Sequence, residues 1–222
     1  QTAQRLLIEG RMNDTAADLK ELARESNEPA VVITALHTLD GLGKVSPDLL
    51  VALLSHQDAG VRRCTLQVAE HYLDDRPEVL NAALSLADDH EPIVRLQLAL
   101  SLGAASDERV MPGLVQLGRQ DGADIWMSTA ILSALAQRSG EMLTQLLREP
   151  KELGQGMAML EPLCSAIAAR REPSELNQVL VQIAATQDES LQLVCLNGIQ
   201  SAFRESANVA LDDTARQSVQ SL

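Results

Sequence analysis

The sequence predicts an all-α fold, an α-α superhelix of about six antiparallel helix pairs that fills residues 1–222 as a single repeat domain. Three observations carry this expectation. Short segments with apolar residues three, eight and eleven positions after an acidic opener, such as Val61, Leu66 and Ala69 or Val94, Ala99 and Leu102, follow helical spacing on one face. These segments recur every 30 to 33 residues, the mark of stacked units rather than of one closed core. The apolar mass is Leu, Ala, Val and Ile, while Trp126, Tyr72 and Phe203 are the only aromatics, a mix that favours helices.

In chain order, TAQRLLIEG (2–10) reads as the second helix of an earlier pair whose first helix is missing. EPAVVITALHTL (28–39), DAGVRRCTLQVA (58–69), EPIVRLQLALSL (91–102), DIWMSTAILSAL (124–135) and DESLQLVCLNGI (188–199) are the repeated second helices. Ahead of them lie first helices at 47–55, 77–87, 108–118 and 173–184, several opened by Pro, whose missing N–H costs nothing in a first turn. The turns SHQDAG, DDHEP, RQDGAD and ATQDES are short and polar. The fifth pair departs from the pattern. Its first helix is expected at 140–150, followed by KELGQGMAML as a longer or bent connection, before Pro162 opens the second helix. Residues 205–222 are expected to start a unit that does not finish. Leu6, Leu7 and Ile8 would face the missing helix of their own pair, so the chain reads as a piece of a larger protein. About 12 to 14 helices and no sheet are expected.

A net charge of −13 and the lack of stacking aromatics argue against a nucleic-acid partner. No apolar run reaches the roughly 18 to 20 residues that span a bilayer. Cys64, Cys164 and Cys195 belong to no CxxC or CxxCH pair, and each reads as a small buried hydrophobe. His71 with Asp74 or Asp75, and His90 with Asp88, Asp89 and Glu91, are the only neighbourhoods that invite a metal reading, without the spacing of a known site. For the Asp88–Glu91 cluster, bonds to backbone amides are the better account. No nucleophile elbow, phosphate loop or dinucleotide fingerprint occurs, so no catalytic, metal or cofactor residue is assigned to this segment. Met111, Met127, Met142, Met157 and Met159 are expected as core filler. Trp126 is a candidate interaction anchor, because tryptophan is enriched at binding hot spots, but the reading preferred here is inter-repeat core, at the position of Gly60 and Ile93.

An acidic turn residue followed by Val-Arg at the start of the second helix, complete in Asp58, Val61 and Arg62 and in Glu91, Val94 and Arg95, resembles the HEAT and armadillo-type repeats. The resemblance implies that Asp58, Arg62, Glu91 and Arg95 are seam residues, with each Arg stem packed and its head reaching acceptors in its own and the neighbouring repeat. Val32, Ser128 and Gln192 hold the equivalent place elsewhere, so such a ladder cannot run the whole chain.

Residues 2–103, most specifically Thr2–Glu9 and 35–43, are similar to the repeat segment of large exported bacterial proteins described as membrane-bound dehydrogenases. In those proteins the segment lies between a β-propeller and a c-type cytochrome domain. That resemblance implies an exported parent protein, with haem c held in another domain and no cofactor here. It makes this segment a non-catalytic scaffold whose partners are proteins, including other domains of the same chain. Two alternatives stand beside it: a stand-alone adaptor binding a protein or peptide on its concave face, and a HEAT-type lyase or hydroxylase. The enzyme reading needs His-Glu pairs in successive repeats, which the sequence lacks.

Overall fold

A computed structural model of the chain describes residues 2–10 and 12–203, so the expectation for 205–222 lies outside the described residues. These contain 13 α-helices and no strand, joined by short turns and 3₁₀ segments. The backbone gathers into two compact units, Gln1–Val110 and Met111–Leu222.

In the first unit, α1 (Thr2–Glu9) precedes three helix pairs. These are α2 (Ala16–Glu25) with α3 (Pro29–Gly41), α4 (Pro47–Leu54) with α5 (Ala59–Ala69), and α6 (Pro77–Leu84) with α7 (Pro92–Leu102). Pro sits in the first turn of α3, α4, α6 and α7, where its fixed φ suits the helix. First helices stack on first helices (α2, α4, α6) and second on second (α3, α5, α7). Between the two rows lie Val32, Leu36, Leu50, Val61, Leu66, Leu80, Val94 and Leu98, all fully buried. Each such side chain contributes roughly 1.5–3 kcal/mol of transfer free energy, which sets the row against the entropy of ordering the chain.

The helix α2 has no counterpart in the sequence reading. Its ten residues AADLKELARE place Leu19, Leu22 and Ala23 on one face among five charged residues, and of these only Ala23 is buried. Leu6 is exposed, Leu7 is half-buried, and Ile8 turns inward over Gly41 of α3, where an added Cβ would come within 2.6 Å of its Cδ1. The expectation that Leu6, Leu7 and Ile8 share one uncovered face therefore fails at Ile8.

The second unit runs α8 (Val110–Asp121), α9 (Ile125–Leu135), α10 (Ser139–Arg148), α11 (Leu160–Arg170), α12 (Pro173–Ala185) and α13 (Glu189–Phe203). Between α10 and α11 the chain makes 3₁₀ turns at Pro150–Glu152 and Gly154–Met159. Gly154 lies at φ 52°, and a Cβ there would also stand 2.6 Å from the carbonyl oxygen of Arg119, so the bend passes against the end of α8. Pro162 falls inside the first turn of α11, which starts two residues earlier than expected. The methionines follow the core expectation with one exception. Met111, Met127, Met142 and Met159 are buried, whereas Met157, on the 3₁₀ bend, is exposed.

Candidate functional site

The turn before α5 is built from its own polar side chains. Asp58 caps the helix, its Oδ1 accepting from the Val61 N–H at 3.0 Å. Two residues earlier, His56 Nδ1 accepts the Asp58 N–H at 3.0 Å. The preceding repeat does the same with Ser26 Oγ and the Glu28 N–H, 3.2 Å, and the following one with Asp89 Oδ1 and the Glu91 N–H, 2.9 Å. In these three turns of the first unit an acceptor stands two positions before the acidic residue. Ser, His and Asp each supply one.

Arg62, one turn into α5, is buried. Its Nη1 donates to the carbonyls of His56 (2.8 Å) and Gln57 (3.0 Å) in its own turn. Its Nε and Nη2 donate to Asp89 Oδ2 and Oδ1 at 2.6 and 2.7 Å, a bidentate pair that crosses to the next repeat. Arg95, equally buried, donates from Nη1 to the Asp89 carbonyl at 2.6 Å. Asp89 is therefore the joint of this seam: its carboxylate takes Arg62 and the Glu91 amide, and its carbonyl takes Arg95. Burial opposes ionisation of Asp89, but the Arg62 guanidinium and the Glu91 N–H outweigh it and hold the carboxyl below its ordinary value. The same hydrogen bonds raise the pKa of Arg62. Of the four seam candidates, Arg62 and Arg95 meet at Asp89, Asp58 caps its own helix α5, and Glu91 contributes its amide and makes no side-chain cap bond. Asp89 is the residue missed, and its signal was the acceptor-x-acid spacing shared by Ser26, His56 and Asp89.

In the second unit, Gln192 occupies the Arg position and its Nε2 donates to the Thr186 carbonyl at 2.6 Å. Arg62 to His56, Arg95 to Asp89 and Gln192 to Thr186 all reach the carbonyl six residues back. Gln192, which the family resemblance leaves out of the ladder, makes the local bond without the charge. Another joint in this unit was invisible in the sequence: Arg170, at the end of α11, forms a bidentate pair with Glu175 in the first turn of α12. The same guanidinium reaches Ser139 Oγ (3.3 Å) and the Ala136 carbonyl (3.4 Å), tying α11 and α12 to the α9–α10 connection.

Trp126 corrects the core expectation. It is 71% exposed, as is Ile125 beside it. Both lie in the first turn of α9, whereas Met127 beside them is buried. Asp124 fixes the backbone there, its Oδ1 accepting from the N–H groups of Trp126 and Met127 at 3.0 and 2.9 Å. Ile93, at the same repeat position in the first unit, is also exposed. On the second-helix face of that unit the polar groups satisfy one another. Gln67 donates to Gln97, Gln97 to Ser101, and Ser101 to Glu70. Among the described residues no group of three or more His, Cys, Asp or Glu could hold a metal ion, and no helix is long and apolar enough to cross a membrane.

Residues 46–136 match the family model for HEAT repeats, a stretch that takes in the Arg62–Asp89–Arg95 seam and the Trp126 turn. No curated protein and no solved structure matches the chain. The match and the all-helical pairs together show a HEAT-like helical repeat, an architecture that serves protein interaction by stacking units into extended surfaces.

Proposed function

We propose that this segment is a non-catalytic protein-interaction scaffold that links a dehydrogenase-like propeller domain to a c-type cytochrome domain in a multidomain redox protein. The observation that carries the interaction role is the Ile125–Trp126 pair, a large apolar surface held out on a capped, rigid helix start. Exposing an indole to water forfeits on the order of 2–3 kcal/mol of burial, which a partner with an apolar socket recovers. The redox setting rests on the resemblance of residues 2–103 alone, and HEAT repeats in general act as docking surfaces.

Trp126 is the sole tryptophan of the chain, so its emission reports directly on docking. The test is titration of the segment with a c-type cytochrome domain and, separately, with a sugar-dehydrogenase-type propeller domain. Saturable quenching by the haem, or a saturable blue shift with the propeller, is the expected result, and Trp126→Phe, followed by titration calorimetry because it removes the indole, should bind about tenfold or more weakly. No saturable change with either domain overturns the linker reading. A stand-alone adaptor would instead respond to an added peptide or unrelated protein.

A further inference from the structure

We propose that Cys164 and Cys195 are a thiol pair built to close into a disulfide across α11 and α13, a modification site that staples two successive second helices. The two residues are one repeat length apart in sequence, and both are fully buried. The neighbouring Cys195 thiol and burial together raise the Cys164 pKa. Independent geometry puts the two helices unusually close at this point. Gly198 lies one turn after Cys195 on the same face of α13. A Cβ there would stand 2.9 Å from the Cys164 Cβ and 2.3 Å from the Glu161 carbonyl oxygen. With no side chain at Gly198 the backbones of α11 and α13 meet. Facing residues one turn away are then brought toward the roughly 3.5–4.5 Å Cβ separation that a disulfide requires. The third cysteine, Cys64, lies in the other unit and serves as an internal control.

The chemistry balances with a small-molecule disulfide as oxidant. One cysteine thiolate attacks oxidised glutathione, forming a mixed disulfide and expelling one glutathione thiolate. The second cysteine thiolate attacks the protein sulfur of that mixed disulfide and expels the other. Two protein thiols lose two protons and two electrons, and the oxidant's S–S bond is reduced to two thiols. Because both thiols are buried, exchange in the folded protein must wait for α13 to open, whereas refolding presents them freely. The product closes a loop around α12.

The experiment uses the full 222-residue chain, refolded from denaturant in oxidised and reduced glutathione and mapped by non-reducing peptide mass spectrometry. The expected result is a Cys164–Cys195 cross-linked peptide, with Cys64 as thiol or glutathione adduct. The thermal midpoint should rise by about 5–10 °C and fall back with dithiothreitol. The double variant Cys164→Ala/Cys195→Ala, checked for helix content under reducing conditions, should lose this oxidant-dependent rise. Separate glutathione adducts on Cys164 and Cys195, free thiols at both after refolding, or a cross-link that lowers the midpoint would each overturn the proposal.

Discussion

The turns at residues 56–62 and 186–192 make the same local bond with different chemistry. Arg62 and Gln192 both reach the carbonyl six residues back, at 2.8 and 2.6 Å, so the start of a second helix is closed equally well by a charged or a neutral donor. Only Arg62 has a second edge to spare, and it spends that edge on Asp89 in the following repeat. The difference teaches that closing a turn and joining two repeats are separable tasks. A glutamine does the first, and the guanidinium fork does both.

The sharpest way to break the comparison is Asp89→Ala. It leaves the buried Arg62 charge without its bidentate partner and opens the Glu91 amide, and should cost about 3–5 kcal/mol in the first unit. Urea unfolding followed by circular dichroism measures this, and a loss below about 1 kcal/mol would mean that water replaces Asp89 freely. The same pair can be titrated. The folded pKa of Asp89 lies below its ordinary value of 3.8, so its contribution is complete above that pH and drains away as pH falls through the lower, folded value. Acid unfolding of wild type should therefore be steeper below about pH 4 than that of Asp89→Asn.

Next in size is Arg95→Ala, expected to cost about 1–3 kcal/mol through lost stem packing and a stranded carbonyl. Arg95→Gln should recover part of that loss, because Gln192 already shows an amide making the equivalent bond. Equal losses for the two variants would show that packing of the stem, not the bond, matters. Gln192→Ala should be smaller, about 0.5–1.5 kcal/mol, since one short and one long neutral hydrogen bond and no inter-repeat charge are removed. The smallest effect is expected at Trp126→Ala, within about 0.5 kcal/mol on stability, as for other exposed positions away from caps and cores. A loss above about 2 kcal/mol would place its ring in a packing role that its exposure denies.

The repeat frame was legible because apolar spacing and Pro placement are local. Val61, Leu66 and Ala69 share a face whatever lies against it, and Pro47, Pro77, Pro92 and Pro173 can only start helices, not continue them. Arg95 stood out for the same reason, as a charge among apolar neighbours. Helix α2 did not, because its stripe of Leu19, Leu22 and Ala23 is one turn long and stands among five charged residues. The seam was half legible. The arginines announce themselves, but Asp89 lies 27 residues from Arg62 and sat in a cluster whose acids looked interchangeable.

Sequence by itself therefore determined the all-helical class, the period of the pairs, where most helices begin and which residues carry charge into a helix. Only the tertiary structure decided which acid meets which arginine, that α11 and α13 approach closely at Gly198, and that Trp126 faces water while Leu135, on the same helix, is buried. The reason is geometric. A helical period says which side chains share a face, but what covers that face depends on a neighbour about thirty residues away and on how closely the two backbones approach. At Gly198 that approach is possible because there is no side chain, and at the first turn of α9 Trp126 is left mostly in water.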